Sequence, residues 1–459
     1  MEKTPIRDLK QHVGEVVKLQ GWLQTLRDQK SMQFLILRDR TGLVQIAHWK
    51  KGNPELAELI STLGTESALT VTGKVVENEV VRLGGIEVQL ESLVVENKAE
   101  IPLPFDPFAE TLPDQDYRLD WRFLDLRRER NRLIFEVQTT LEAAMREYWL
   151  ENGFIEMHSP KIMGAPSESG AELFSLKYFD TTAYLAQSPQ FYKQMAMAAG
   201  YEKVFEIGPV FRADPSFTSR HMTEFTGVDF EISWIDSHED VMSFAERWLA
   251  HVYKRVQEKH GEAIKAVFNV DLQVPELPFP RLTMAEAYQI LKDQGYKLPP
   301  ERKGDLDPGA ERALGAYVKE KTGNDFVFVK DWPFTVRPFY HMLHEDNPTL
   351  TKSFDLLGRG LEITTGAQRE HRYEVLKNQA LEKGLTLPPI QNYLNYFRYG
   401  CPPHGGLGLG LSRLLMVILI CPISAKLFTC SEDQTAWNLR SKHAVNLQRE
   451  IAPAGSRTG

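Results

Sequence analysis

Two arginines and an aromatic residue surround a short polar loop in the segment FRADPSFTSRHMTEF, residues 211–225. Arg212 and Arg220 stand on either side of this loop, and Phe225 closes it. Each guanidinium offers paired N–H donors to phosphate oxygens, so two arginines can clamp a polyphosphate. The flat face of a purine base can stack on an aromatic ring. The segment indicates a nucleotide site, although a solvated arginine-rich turn has the same residue types.

A second candidate segment is GCPPHGGLGLGLSRLLM, residues 400–416. Its glycines, among them Gly408 and Gly410, alternate with apolar residues and lead into Arg413 and a helical apolar run. Glycine lets the backbone approach a ligand closely, and Arg413 would add a third cation. The segment lacks the GxxxxGK[ST] spacing of a P-loop. A glycine-rich strand that only packs tightly is the open alternative.

Two carboxylates, Asp355 and Glu362, occur in SFDLLGRGLEITTGAQREHR, residues 353–372. Oxygen ligands suit Mg²⁺, and carboxylates on adjacent turns or strands could hold this ion against phosphates.

The elements that must position these residues fall into two parts. Strand-like alternation before residue 100 predicts a small closed barrel of OB type with one intervening helix. The proline-rich segment 101–108 predicts a linker. Apolar residues at helical spacing predict a helix over 133–152, and a mixed α+β pattern follows. The predicted barrel elements are strands 16–26, 32–37, 42–47, 68–76 and 85–95, with a helix at 54–63.

Composition narrows the function classes. The chain has 459 residues, 42% hydrophobic and 25% charged, which predicts two or three domains. We find no run of 18 apolar residues and no signal peptide at the N-terminus, so we expect a cytoplasmic protein without a membrane partner. Three cysteines argue against a disulfide framework and fit a reducing cytoplasm. A net charge of −8 argues against indiscriminate nucleic-acid coating, but residues 1–50 carry nine Lys and Arg against five Asp and Glu, which suits local RNA contact.

Together, the first two segments resemble motifs 2 and 3 of the class II aminoacyl-tRNA synthetases. Pro160, in GFIEMHSPKI, resembles the motif 1 proline of their dimer interface. The agreement covers most of the chain and is closest to the short aspartate-specific group of archaea and eukaryotes. The resemblance implies a homodimer with an anticodon-binding OB-fold and an antiparallel-sheet catalytic domain. The expected boundaries are 1–100 for the OB-fold, 101–125 for a linker, 126–420 for the catalytic domain and 421–459 for an aberrant tail.

The reaction implied by the resemblance joins L-aspartate to ATP, giving aspartyl-adenylate and pyrophosphate, and then transfers aspartate to the 3′ end of tRNA(Asp). Use of tRNA(Asn) as well is left open. In the family pattern Arg212 contacts the α-phosphate, Arg220 and Arg413 contact the distal phosphates, and Phe225 contacts the adenine. The remaining implied ATP residues are Asp214, where relatives usually have Glu, and His221, Glu362, Gly408 and Gly410, with Asp355 and Glu362 as the Mg²⁺ ligands.

Three charged residues carry the implied amino-acid specificity. Lys193 of QSPQFYK and Arg369 of AQREHR would neutralise a side-chain carboxylate, and Asp229 of GVDFEIS would hold the ammonium group. A neutral amide would leave the buried donors unpaired, which is how a polar pocket rejects an isostere. Polar lining and the acid of a mobile loop complete the implied aspartate site, namely Ser188, Gln190, Thr365 and Glu168.

The resemblance also implies an anticodon surface on the OB-fold. Phe34 would stack on a base, with Arg27 and Gln45 supplying backbone and edge contacts. On residue type alone, Phe34 as a core aromatic is the alternative.

Two other functions stay open at this point. A ligase for asparagine or lysine is disfavoured because asparaginyl enzymes lack the counterpart of Lys193 and lysyl enzymes lack that of Arg369. An inactive RNA-binding or regulatory paralogue would lack phosphate or metal residues, which are present here.

The segment after Ile420 departs from the family. Relatives continue with a stretch like LPNIREA and then LFRGPNRL, whereas this chain has CPISAKLFTCSEDQTAWNL. Possible codons for this stretch, read one nucleotide earlier, permit the family ending. We therefore hypothesise a single-nucleotide frameshift near residues 418–420.

Overall fold

Alternating burial along five strands closes the N-terminal part of the chain into a barrel. A computed structural model describes residues 2–164, 173–213, 222–302 and 304–421. The chain divides into two compact units, residues 1–114 and 115–459. The elements of the first unit, after a 3₁₀ helix at Ile6–His12, are β1 (Val16–Asp28), β2 (Met32–Arg38), β3 (Leu43–Trp49), α1 (Pro54–Ser61), β4 (Ala68–Glu77) and β5 (Ile86–Asn97).

The barrel has the strand order β1-β2-β3-β5-β4, closed by the pairing of β1 with β4. Inward-facing residues such as Leu19, Leu35 and Val71 are fully buried in its core. The α1 helix begins at Pro54, with the side chain of Asn53 accepting a hydrogen bond from the Leu56 N–H. The OB-type barrel predicted from the alternation is confirmed.

The second unit is built on one large sheet flanked by helices. Its elements are α2 (Gln115–Asp120), α3 (Arg122–Asp125), α4 (Glu129–Glu151), β6 (Ile155–Glu156), β7 (Ile162–Met163), β8 (Ser175–Tyr178), β9 (Thr181–Leu185), α5 (Gln190–Ala198), β10 (Lys203–Phe211), β11 (Glu224–Ser233), α6 (His238–Phe268), β12 (Arg281–Thr283), α7 (Met284–Asp293), α8 (Pro308–Thr322), β13 (Phe326–Lys330), β14 (Ser353–Gly358), β15 (Leu361–Arg369), α9 (Tyr373–Glu382), α10 (Leu387–Asn395), β16 (His404–Gly410) and α11 (Leu411–Leu419).

The large sheet has eight strands in the order β12-β13-β14-β15-β16-β11-β10-β6. Its six central strands pair antiparallel, as expected, while the outer pairs β12–β13 and β10–β6 are parallel. One face packs on α4 and α6, where Trp149 stacks on Trp248 at 4.8 Å and on Phe205 at 4.4 Å. The opposite face is left for polar side chains. The predicted α+β class is confirmed, with a closed barrel in the first unit and a mainly antiparallel sheet in the second.

Several predicted boundaries differ from the observed ones. Helix α4 begins at Glu129, four residues before the predicted start, because its first turn is charged and adds nothing to the apolar periodicity. The unit boundary at residues 114 and 115 lies inside the segment 101–125, and α2 and α3 occupy the second half of that segment. The predicted domain limits themselves stay predictions. The tail from residue 422 lies outside the described residues. No helix in the described part of the chain is long and apolar enough to cross a membrane.

Candidate active site

A cavity of about 420 Å³ lies over the polar face of the large sheet. Most of the predicted catalytic and substrate residues that the structure describes line it: Ser188, Gln190, Arg212, Phe225, Asp229, Glu362, Thr365, Arg369, Gly408, Gly410 and Arg413. Lys193 and Asp355 are not part of this lining, and they contact residues at its floor. The other predicted site residues fall outside the described residues, namely Glu168, Asp214, Arg220 and His221.

The register of the large sheet determines which residues form the floor of this cavity. Asp229 on β11 pairs with Gly408 on β16, which in turn pairs with Thr365 on β15, and Thr365 pairs with Asp355 on β14. Paired residues in antiparallel strands point to the same face. Residues more than a hundred positions apart in the chain therefore form one transverse row across the sheet.

Four buried charges stand side by side at one end of the row. The Lys193 ammonium lies 3.0 Å from the Asp229 carboxylate and 3.3 Å from that of Glu231, and it donates to the Leu407 carbonyl at 3.0 Å. The Arg369 Nε donates to Glu231 at 2.9 Å. Two cations thus face two anions, and this pairing compensates the cost of burying them.

The pKa values of the two acids move in opposite directions. Burial raises the pKa of Asp229, and the charge of Lys193 only partly opposes that rise. Burial would also raise the pKa of Glu231, but the charges of Arg369 and Lys193 outweigh it and lower the pKa. Glu231 is consequently the fixed anion of the cluster, and Asp229 is the acid whose charge would gain most from an added ammonium group.

The second pair of carboxylates lies further along the sheet. Asp355 Oδ2 accepts a 2.7 Å hydrogen bond from Arg337, and Glu362 accepts one of 3.1 Å from the Thr365 hydroxyl. Burial and the negative charge of Glu362 raise the pKa of Asp355 to about 6, against the opposing charge of Arg337. Two carboxylates close enough to repel each other form a site that a cation would stabilise.

The hairpin of β10 and β11 carries the predicted nucleotide residues that are described. The Arg212 guanidinium carbon lies 5.5 Å from the centre of the Phe225 ring, and both side chains are reachable from the cavity. Arg413, in the first turn of α11, donates to the Glu362 carbonyl at 3.0 Å. An aromatic ring and two cations therefore border the same cavity as the carboxylates.

The predicted anticodon residues sit together on the outer face of the barrel. Arg27 donates to the Gln45 side chain at 2.9 Å and lies 5.5 Å from the centre of the Phe34 ring. Phe34 is half-buried and stands apart from the barrel core. The structure thus disfavours the interpretation of Phe34 as a core aromatic.

The comparisons with known proteins agree with this geometry. A family model described as tRNA synthetases class II (D, K and N) matches residues 114–422, and an OB-fold nucleic acid binding domain matches residues 17–96. Over 410 residues the chain is 43% identical to the aspartate–tRNA(Asp) ligase of Thermococcus kodakarensis, covering 89% of this chain and 93% of the relative. Over 418 residues it is 46% identical to the aspartate–tRNA(Asp/Asn) ligase of Methanopyrus kandleri, covering 90% and 93%.

This chain belongs to the class II tRNA synthetases. The resemblance found in the sequence is therefore confirmed. Among solved structures, it is similar to the asparaginyl-tRNA synthetase of Pyrococcus horikoshii complexed with asparaginyl-adenylate, with a TM-score of 0.85 and 33% identity over 93% of this chain and 97% of that one. It is also similar to the aspartyl-tRNA synthetase of Entamoeba histolytica, with a TM-score of 0.84 and 30% identity over 95% and 92%.

Class II synthetases use ATP and a divalent metal ion, so the carboxylate pair must be tested against that requirement. The Asp355 Oδ1 atom is buried and makes no hydrogen bond within the described part of this synthetase. An oxygen of this kind beside a second carboxylate is a fitting ligand for a hard cation. Asp355 and Glu362 therefore fit a divalent metal.

Sequence reasoning missed three residues of the site in this synthetase. Glu231 is completely buried between Lys193 and Arg369, and its position two residues after Asp229 on one strand was a usable signal. Arg337 bonds Asp355, and His341 accepts a 3.0 Å hydrogen bond from Arg369 through Nε2. Neither residue stands in a local pattern that points to this site.

Proposed function

We propose that this class II synthetase is an aspartate–tRNA ligase, which activates L-aspartate with ATP and transfers it to the 3′ end of tRNA(Asp). One observation carries the proposal: the buried cations Lys193 and Arg369 bond the neighbouring acids Asp229 and Glu231 at the floor of the cavity that the nucleotide residues line. Relatives named aspartate–tRNA ligase, 43% and 46% identical, support it.

Charge balance explains why aspartate is the preferred substrate. Asp229 would take the ammonium group, and Lys193 with Arg369 would take the side-chain carboxylate, so each added charge meets its opposite. The NH₂ group of an asparagine amide would face the N–H donors of Lys193 and Arg369. These buried polar groups would then lack acceptors, at a cost of about 1–3 kcal/mol or more each. Ser188, Gln190 and Thr365 line the remaining polar wall, and Glu168 is proposed as the acid that closes the site.

Positioning and charge neutralisation account for the activation step. The substrate carboxylate would attack the α-phosphorus in line, with Arg212 at the α-phosphate and Phe225 stacked on adenine. Arg413 and Arg220 would contact the distal phosphates, near Gly408 and Gly410, with Asp214 and His221 from the hairpin loop. Asp355 and Glu362 would hold Mg²⁺, whose charge would neutralise phosphate oxygens when it is bound.

The proposed assembly is a cytoplasmic homodimer whose barrel reads the anticodon through Arg27, Phe34 and Gln45. Relatives differ in their tRNA range, since one is named for tRNA(Asp) and another for tRNA(Asp/Asn). Both tRNAs therefore belong in the test.

The deciding experiment is amino-acid-dependent ATP–pyrophosphate exchange with aspartate, asparagine and lysine. We expect exchange with aspartate alone, and Lys193→Met should reduce it by at least 100-fold because a charged hydrogen bond to the substrate is lost. The matched control is Lys254→Met, which removes an exposed lysine whose ion pair among the described residues is with Glu258 at 4.0 Å. Exchange with asparagine or lysine instead, or none with a folded protein, would contradict the proposal. Charging of tRNA(Asp) and tRNA(Asn) transcripts then gives the tRNA range.

A further inference from the structure

Two imidazoles and one carboxylate meet where the end of β13 lies beside the first turn of α6. The residues are His238, the first residue of α6, Asp331, which directly follows β13, and His344. Asp331 Oδ1 lies 2.9 Å from His344 Nε2 and 3.4 Å from His238 Nε2. The candidate ligand atoms of all three side chains lie within 4.8 Å of one another. None of the three belongs to the cavity lining or to the proposed reaction.

His238 is the unusual member of this cluster. It is only 5% exposed, and neither of its ring nitrogens makes a hydrogen bond to any described residue. A buried polar group without a partner costs about 1–3 kcal/mol. Its Nε2 nevertheless faces the Asp331 carboxylate at 3.4 Å without forming a hydrogen bond to it. A buried polar group of this kind indicates that a ligand could bind between the two side chains.

Asp331 is prepared to act as an anionic ligand. Its backbone adopts the left-handed conformation with φ of 63°, which is uncommon for residues other than glycine. Both imidazoles lie nearest to the same carboxylate oxygen of Asp331, Oδ1.

The neighbouring charges leave room for a cation. Lys330, the nearest positive side chain along the chain, is paired with Glu239 at 2.6 Å. His344 is half-exposed and opens the cluster to solvent. Metal–ligand bonds of about 2.0–2.1 Å in a tetrahedral site separate the ligand atoms by roughly 3.3 Å. The two separations from Asp331 Oδ1, 3.4 Å and 2.9 Å, are close to that value, and all three candidate ligand atoms lie within 4.8 Å of one another.

We propose that His238, Asp331 and His344 form a zinc site, with Zn²⁺ bound by two imidazole nitrogens and one carboxylate oxygen and a water molecule as the fourth ligand. Imidazole with carboxylate suits Zn²⁺ better than the harder Mg²⁺. The ion would tie the segment that follows β13 to helix α6. Arg337 and His341, which line the catalytic cavity, belong to this same segment. A bound ion would therefore help to hold these two side chains in position without entering the cavity.

The test uses the full chain after treatment with a chelator, titrated with Zn²⁺ and followed by equilibrium dialysis with metal analysis and by thermal unfolding. We expect one tight equivalent and a higher unfolding midpoint with Zn²⁺ than with Mg²⁺. His344→Ala should weaken binding of that equivalent by at least 10-fold and abolish the thermal shift. His344 has the most exposed of the three side chains and bonds only Asp331 among the described residues, so its removal carries the smallest folding risk.

The matched control is His251→Ala, which removes a half-buried imidazole bonded to Glu147 on another face of α6. This control variant should still bind one equivalent of Zn²⁺ tightly. His344→Cys, which substitutes another zinc ligand, should restore binding in a folded protein. A wild-type chain without a stoichiometric equivalent, or equal affinity in wild type and His344→Ala, would overturn the proposal. Because the readout is metal binding and unfolding, a failed zinc site leaves the aspartate ligase proposal untouched.

Discussion

Two buried ionisable side chains of this synthetase, Glu231 and His404, are each held in one charge state by their surroundings. Glu231 stays anionic between two cations, while burial lowers the pKa of His404 to about 4. His404 also sits in a chain of bonds that begins at the cavity. Gln190 donates to Gln194 at 2.9 Å, and Gln194 donates to His404 Nε2 at 3.0 Å. A neutral His404 is thus required as an acceptor.

This neutral histidine predicts a pH dependence of stability. The pKa of His404 is depressed in the folded state from an ordinary value of 6.5 to about 4. The unfolded state therefore binds the proton first as pH falls, and stability present above pH 6.5 is lost between pH 6.5 and 4, by up to about 3 kcal/mol. Thermal unfolding of wild type and His404→Gln across this range measures the effect. The variant should have the shallower slope, and parallel curves would refute the assignment to His404.

At the scale of elements, the catalytic row depends on β16 lying between β11 and β15. β16 follows β15 in the chain, but in the sheet it also pairs with β11, a strand from a much earlier part of the sequence. β16 has no room for a side chain at Gly406, because a Cβ there would collide with the Phe230 carbonyl oxygen and with the Glu231 carboxylate. The glycines of the segment therefore serve packing against the charged cluster as well as approach to a ligand.

Gly406→Ala should therefore be strongly unfavourable. We expect a loss of about 1–3 kcal/mol in the free energy of unfolding, because the neighbours are backbone and a buried carboxylate that cannot move aside freely. The same change at Gly261 in α6 is the control, since among the described residues its Cβ would meet Gln257 Cγ alone, at 3.6 Å. Gly261→Ala should stabilise the helix by up to about 1 kcal/mol. Denaturant unfolding of both variants measures the change in the free energy of unfolding. Equal changes at the two positions would contradict the steric explanation.

At the scale of the whole molecule, the two units carry different parts of the proposed function. The residues proposed for aspartate activation all belong to the unit formed by residues 115–459, whereas the proposed anticodon surface belongs to residues 1–114. Activation and tRNA recognition should consequently respond to different substitutions.

Phe34→Ala tests this division. It should leave aspartate-dependent ATP–pyrophosphate exchange unchanged and lower the efficiency of tRNA(Asp) charging by about 10- to 100-fold, because one stacked base contributes about 1–3 kcal/mol. Phe34→Tyr keeps the ring and should retain most of the charging activity. Phe34 lies outside the barrel core, so a general folding defect is not expected. Equal losses in both reactions, or no loss in charging, would argue against the anticodon role.

The strands of the barrel, the polar loop flanked by Arg212 and Arg220 and the family of the chain can all be recognised from the linear sequence. Alternating burial over strands such as β2 is a local property, since successive side chains of a strand point to opposite faces. The motif around Arg212 and the glycine-rich segment before Arg413 are also contiguous in sequence. Patterns of this kind can be recognised without knowing which strands become neighbours.

Which charged side chains meet depends on how distant parts of the chain pack. Lys193 and Asp229 are 36 positions apart, and Arg369 lies 138 positions from Glu231. The contact of Arg337 with Asp355 and the cluster at Asp331 likewise depend on how distant elements pack. The physical reason is sheet register: a shift of one residue between β11 and β16 would turn these side chains to the opposite face, and no local pattern fixes that pairing.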